Sequence, residues 1–272
     1  MQDLKVTLIQ AELVWEDIES NLARFDDKID GIKDNPHLIV LPEMFTTGFS
    51  MNAKNLAQDT QGSSVTWLQE KARQKSVDIV GSIIVKDKGK SFNRLLWAKP
   101  DGELLTYDKR HLFRMLGEER VYSAGNTHIT VELNGWKISP FICYDLRFPV
   151  WTRNFGNRFD AAIFIANWPE NRSSHWKSLL QARAIENQCY VVGVNRVGED
   201  GNGQLYSGDS SIIDPFGKVI FQHGNTECIH TAKLSYSFLQ EYRKSFPVWM
   251  DAECDVEITP RNNHDDFSSR QG

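Results

Sequence analysis

Short apolar runs, set apart by polar turns and amphipathic stretches, divide this chain into buried strands and helices. VTLIQ (6–10) reads as the first strand. Ile18, Leu22, Phe25 and Ile29 recur at three- and four-residue steps, which predicts a helix over 18–32. HLIVLPE (37–43) stays apolar until its proline and glutamate, the pattern of a strand buried on both faces. Residues 46–62 read as a loop. Ser63 or Ser64 then caps a helix to Lys75, with Val65, Leu68 and Ala72 on one face. VDIVGSIIV (77–85) is another buried strand, and FNRLLWA and GELLTYDK pair as a hairpin about Pro100, Asp101 and Gly102.

The second half repeats the pattern after an irregular stretch over 109–126. Strands are predicted over 129–133 and 137–143, then over 161–167 and 190–196. Helices are predicted over 149–155 and 176–187, the latter with Trp176, Leu179, Leu180 and Ala184 as the face of a core or dimer helix. SSIIDPFGKVIFQ reads as a hairpin across 214–218, and 229–234 as the last strand of the core. Strands alternate with helices early, hairpins are mixed in, and no linker or repeat interrupts the chain. That order predicts one α/β domain with mixed sheets covered by helices. The domain is expected to span 1–258, with 259–272 a polar tail frayed or draped over the surface.

Composition narrows the partners. The chain has 272 residues, 40% of them hydrophobic, so it can bury a substantial core. A net charge of −5 supplies no basic footprint, and no nucleic-acid partner is expected. No apolar run approaches the ~20 residues of a membrane helix, and MQDLKVTLIQ lacks the charged and apolar regions of a signal peptide. A cytoplasmic location without a membrane partner is therefore expected. The cysteines at 143, 189, 228 and 254 form no C-x-x-C pair and read as free thiols. Cys189, Cys228 and Cys254 read as inert.

Three polar residues end or closely follow apolar strands: Glu43, Lys109 and Cys143. Each alone has a plain reading, as a turn glutamate, a solvated lysine or a small buried filler. Together they form a set for acyl transfer. A glutamate beside a thiol can take its proton and return it to a leaving amine. An ammonium nearby lowers the thiol pKa and steadies a tetrahedral oxyanion. The sequence holds no G-x-S-x-G, no phosphate-binding glycine motif and no H-E-x-x-H. Its histidines show no metal-ligand spacing, so no metal site is expected. A Cys/His hydrolase stays open, because His111, His128 and His175 lie near the same segments.

Four blocks, LIVLPEMFTTGFS, YDKRHLF, FICYDLRFP and FIANWP, occur in the order found in the carbon–nitrogen hydrolase (nitrilase) superfamily, which this chain resembles from VTLIQ to about residue 235. The resemblance implies a four-layer α-β-β-α sandwich in a single domain and a Glu-Lys-Cys triad at Glu43, Lys109 and Cys143. Aligning EERVYSAGN on Gly125 places the family's second glutamate at Glu118 rather than Glu119. CYDLRFP and ARAIENQCYVVGVNRVG are similar to the omega-amidase branch. That likeness implies hydrolysis of the terminal amide of a small dicarboxylate monoamide such as 2-oxoglutaramate. A carbamoylase or another amidase, and an interaction protein on the same fold, are the alternatives.

No cofactor is implied, and family members commonly form homodimers through helices near the site. The backbone N–H of Tyr144 is expected to share the oxyanion with Lys109. Trp168 and Phe45 are expected to wall the pocket. Arg172 is expected to hold the substrate carboxylate, ahead of Arg110, Arg114 and Arg147. Asp145 and Arg147 are expected to hold the turn, with Arg147 and Arg183 in structural ion pairs to Asp145 or Glu186.

Overall fold

The computed structural model describes residues 2–252; the expected domain end at 258, the tail from 259 and Cys254 lie outside the described residues. The first half of the chain runs β1 (Leu4–Gln10), α1 (Ile18–Asp30), β2 (Leu38–Val40), α2 (Ala53–Leu56), β3 (Gln58–Asp59), α3 (Ser63–Lys75), β4 (Asp78–Asp87), β5 (Lys90–Ala98) and β6 (Leu104–Asp108). The second half runs α4 (Glu118–Val121), β7 (Val131–Leu133), β8 (Trp136–Ile142), β9 (Ala161–Ala166), α5 (Ser173–Asn187), β10 (Tyr190–Asn195), β11 (Val197–Glu199), β12 (Leu205–Ile213), β13 (Val219–Gly224), β14 (Cys228–Leu234) and α6 (Tyr236–Ser245).

Each half builds one mixed sheet. The first has the order β14-β1-β2-β4-β5-β6, with β3 beside β4. The second has the order β11-β12-β10-β9-β8-β7, with β13 beside β12. β14 comes from the far end of the chain and closes the first sheet against β1, pairing Leu4 with Leu234. The two-residue period of a strand explains why both faces of β2 are apolar. Leu38 and Val40 join the core shared with the second sheet, while Ile39 faces Phe25 and Ile29 of α1 and Leu68 and Ala72 of α3. α5 packs across β10 and β12, where a Cβ on Gly193 would meet Leu180 Cδ1 at 2.4 Å. The layers are therefore α-β-β-α, as the resemblance implies. Gln10 ties the sheets by a polar contact, its Oε1 accepting the Ser210 N–H of β12 at 3.0 Å. Among the described residues, no helix is long and apolar enough to cross a membrane.

The departures from expectation have local causes. Residues 149–155 form turns that lead into a 3₁₀ turn at Phe155–Asn157, not an α-helix, because Asn154 binds its own neighbourhood. Its Oδ1 accepts Phe159 N–H at 3.0 Å and its Nδ2 donates to Phe159 O at 2.8 Å. Such side-chain bonds compete with helix formation. α6 is a helix the sequence reading passed over; it buries Leu239 and Tyr242 and seats Arg243 on Asp160 at 2.8 Å. α3 begins at Ser63, but Gln58 Oε1, rather than a serine hydroxyl, accepts the Ser64 N–H at 2.9 Å.

Gly125 shows how tightly the loop over 109–126 is set. Its N–H donates to Lys109 O at 3.0 Å, and a Cβ there would lie 2.3 Å from Asp108 O. Gly125→Ala is expected to shift the Asp108–Lys109 backbone and lower Tm by roughly 2–10 °C in a thermal melt, from an overpacking cost of about 1–3 kcal/mol.

Candidate active site

Glu43 follows β2 through Leu41 and Pro42, where Leu41 N–H still donates to Val80 O. The side chain is wholly buried. Its Oε1 accepts Lys109 Nζ at 3.0 Å and Asn93 Nδ2 at 2.7 Å, and its Oε2 accepts the Asn167 N–H at 2.7 Å. The chain then turns through Met44, whose φ is +43°. That turn sends Phe45 into the helix-facing core, 5.4 Å from the Phe25 ring and 5.8 Å from that of Trp67. Phe45 does not line the cavity, contrary to expectation.

Lys109 follows β6, its N–H bound to Asn93 O at 3.0 Å. Its ammonium lies between Glu43 and Glu118, 2.9 Å from Glu118 Oε1 and 3.1 Å from Oε2. Burial works against the charge, but the carboxylates of Glu118 and Glu43 outweigh it and hold the lysine protonated, well above its ordinary value. Glu118 sits in α4, wholly buried, and also accepts the Phe113 N–H. Burial pushes its pKa up, against the pull of Lys109. Glu119 instead lies by Arg120, at 3.7 Å, on the outside. The geometry thus puts Glu118 beside the lysine.

β8 ends at Ile142, and Cys143 opens a 3₁₀ turn to Arg147 with φ of +45°. A side chain with a Cβ seldom takes this left-handed conformation, and it marks a constrained turn. Asp145 is wholly buried and holds that turn. Its Oδ2 accepts Tyr107 Oη at 2.7 Å and Ile142 N–H at 3.1 Å, and its Oδ1 accepts His111 N–H at 2.9 Å. The Cys143 thiol is driven well above its ordinary pKa, chiefly by burial and then by Glu43; Lys109 opposes this without reversing it. The expected lowering by the lysine is therefore overturned. The Cys143 Sγ donates to Asn167 O at 4.0 Å.

Cys143 and Lys109 open onto a cavity of about 670 Å³, with Glu43 and Glu118 behind its wall. Tyr144, Trp168 and Arg172 line it, and so does Arg147. Arg147 departs from its expected pairing with Asp145: the guanidinium lies 4.8 Å over the Trp168 ring, with Nη2 3.0 Å from His175 Nδ1. Arg110 turns away to Gly125 O at 3.1 Å, and neither it nor Arg114 lines the cavity. Arg183 pairs with Glu186 at 2.7 Å as expected.

The three histidines have other partners than the thiol. His111 faces Asp145 at 2.8 Å, His128 stacks on Trp151 at 3.7 Å, and His175 meets Arg147. Among the described residues no group of three or more His, Cys, Asp and Glu is placed to hold a metal ion. The sequence reading missed Asn93 and Asn167, which hold both oxygens of Glu43. Asn167 stood at a strand end in FIANWP, the same signal that marked Glu43; Asn93 stood as a lone amide inside an apolar hairpin.

The sequence model described as carbon-nitrogen hydrolase matches residues 5–244. Omega-amidase YafV of Escherichia coli (strain K12) is 50% identical over 256 residues, 93% of this chain and 98% of that protein. The 2-oxoglutaramate amidase of Bacillus subtilis (strain 168) is 36% identical over 255 residues, 92% of this chain and 98% of that one. XC1258 from Xanthomonas campestris, a CN-hydrolase superfamily protein solved with an arsenic adduct in its active site, has a TM-score of 0.92 at 42% identity, covering 94% of this chain and 99% of that one. The sandwich, the buried glutamate–lysine–cysteine cluster and these matches agree: the chain belongs to the carbon–nitrogen hydrolase family.

Proposed function

We propose that this protein is an ω-amidase, hydrolysing the terminal amide of a small dicarboxylate monoamide such as 2-oxoglutaramate to the acid and ammonia. One observation carries the reading. A buried thiol, carboxylate and ammonium meet at a cavity that also presents Arg147 and Arg172, neither with a carboxylate partner among the described residues. A guanidinium not already paired with a carboxylate is suited to bind one in two-point fashion. The relatives named omega-amidase and 2-oxoglutaramate amidase support the same substrate class.

In the proposed reaction Cys143 Sγ attacks the amide carbon while Glu43 takes the thiol proton. The carbonyl oxygen becomes an oxyanion held by Lys109 Nζ and the Tyr144 N–H. Glu43 then gives its proton to the nitrogen, the C–N bond breaks and ammonia leaves a thioester on Cys143. Water attacks that thioester with Glu43 as base, the C–S bond breaks and the sulfur regains a proton as the acid departs. Glu118 keeps Lys109 aimed. Trp168 and Tyr144 wall the acyl chain, and Arg147 and Arg172 take its distal carboxylate. A cytoplasmic homodimer completes the proposal; exposed apolar side chains about α5 and α6, Ile185, Phe216 and Phe246, support the second copy.

Cys143→Ala is expected to abolish ammonia release from monoamides with the fold intact by circular dichroism, and Lys109→Met to lower kcat by ~100–1,000-fold. A panel of monoamides, carbamoyl amino acids and nitriles, followed by ammonia release, separates the ω-amidase from a carbamoylase, and release from none of them returns the chain to an interaction protein. Arg147→Ala is expected to raise KM for a carboxylate-bearing monoamide about tenfold or more, from the loss of a charge-assisted pair. A neutral amide of equal length should show no such change. Because burial pushes the Cys143 thiol up, iodoacetamide alkylation of Cys143 in the native protein, followed against pH by mass spectrometry of its own peptide, is expected to show no inflection near the ordinary thiol value of about 8.5. A clear inflection there would mean a free thiol uncoupled from Glu43.

A further inference from the structure

A buried side-chain acceptor on a cavity-lining residue stands without a partner among the described residues. Among the described residues, eight buried side-chain nitrogen or oxygen atoms lack a hydrogen-bond partner, and Asn167 Oδ1 is the one that belongs to a cavity-lining residue. Native interiors seldom leave such an atom unpaired, so each instance asks what pairs with it. Asn167 is 4% exposed and its other polar atoms are engaged or accounted for. Its N–H donates to Glu43 Oε2 at 2.7 Å, its Nδ2 donates to Glu43 O at 2.6 Å, and its backbone O lies 4.0 Å from Cys143 Sγ. The backbone oxygen of Glu43 can only accept, which fixes the amide nitrogen toward Glu43 and leaves Oδ1 as the free end. The next residue is clamped as well: Trp168 N–H donates to Asn195 Oδ1 at 2.7 Å, and Asn195 Nδ2 returns to Trp168 O at 3.0 Å. Asn167 is thus rigidly held beside the nucleophile and the base, with Oδ1 its one unpaired polar atom.

The reaction geometry says which donor meets it. With the substrate carbon on Cys143 Sγ and its oxygen toward Lys109 and the Tyr144 N–H, its nitrogen falls on the remaining side, where Glu43 and Asn167 meet. We propose that Asn167 is a substrate-binding residue whose Oδ1 accepts an N–H of the scissile carboxamide, so that the site prefers amides to esters of the same acid. This rests on the acyl-transfer reading above. An ester offers no hydrogen at that position and leaves the buried acceptor unpaired, the situation that gives hydrogen-bonding sites their discrimination.

The test compares a monoamide with the monomethyl ester of the same dicarboxylic acid, by kcat/KM, in the full chain. Asn167→Ala is expected to lose about five- to tenfold more with the amide than with the ester, the worth of one such hydrogen bond. Asn93→Ala, which touches Glu43 but not the cavity, should lose equally with both. Asn167→Asp keeps the shape and an acceptor oxygen; it should slow both substrates yet retain the wild-type amide-to-ester ratio, and it stands in if the alanine variant does not fold. Equal losses on amide and ester for Asn167→Ala, or a collapsed ratio in Asn167→Asp, overturn the proposal and reduce Asn167 to a support for Glu43 or for the hydrolytic water. A wild-type protein that hydrolyses no amide overturns the ω-amidase reading instead.

Discussion

The ammonium of Lys109, buried between Glu43 and Glu118 at the cavity wall, is the interaction on which the rest of this structure depends. A charge out of water is tolerable only when paired and hydrogen-bonded. Here the pairing draws on three separate segments: the turn after β2, the strand end after β6 and the short helix α4. Each must arrive for the others to be stable, so the carboxylates that hold the lysine also fix the mouth of the sheet. The same desolvation pushes the Cys143 thiol above its ordinary pKa.

The second constraint is the turn that carries the nucleophile. Cys143 stands in a left-handed conformation that its own Cβ disfavours, and four donors gathered on Asp145 hold it there. Two of those donors come from His111 and one from Tyr107, at and beyond the end of β6. The lysine strand and the cysteine turn are thereby locked to each other by a buried carboxylate as well as through the reacting groups. Trp151 adds a further layer by donating to Tyr107 Oη at 2.9 Å.

The wall of the cavity divides the work differently. Trp168 and Phe113 are broad faces on which the Arg147 and Arg172 guanidiniums lie, at 4.8 and 5.5 Å. Stacking of that kind orients a guanidinium without spending its N–H groups. Neither guanidinium is paired with a carboxylate among the described residues, although Arg147 Nη2 also meets His175 Nδ1, whereas Arg183 and Arg243 are committed to Glu186 and Asp160.

The apolar runs at 6–10, 37–43, 77–85 and 161–167 determined strands on their own, because a continuously apolar segment of that length has few other ways to leave water. The strand-end positions of Glu43, Lys109 and Cys143 were legible for the same reason: a polar residue closing such a run sits at a sheet rim. Glu118 was legible only through the resemblance around Gly125. What the sequence could not decide depended on partners distant along the chain. Phe45 read as a pocket wall until the turn at Met44 sent it to Phe25, and Arg147 read as a partner of Asp145 until Tyr107 and His111 filled that carboxylate. The thiol pKa followed the same rule, since burial and Glu43 overrode the lysine that proximity alone would favour. Asn93 and Asn167 were likewise visible as letters but not as functions. Hydrophobic pattern is a local property of the chain; hydrogen-bond partners and desolvation are properties of the packed interior, and only the tertiary structure assigns them.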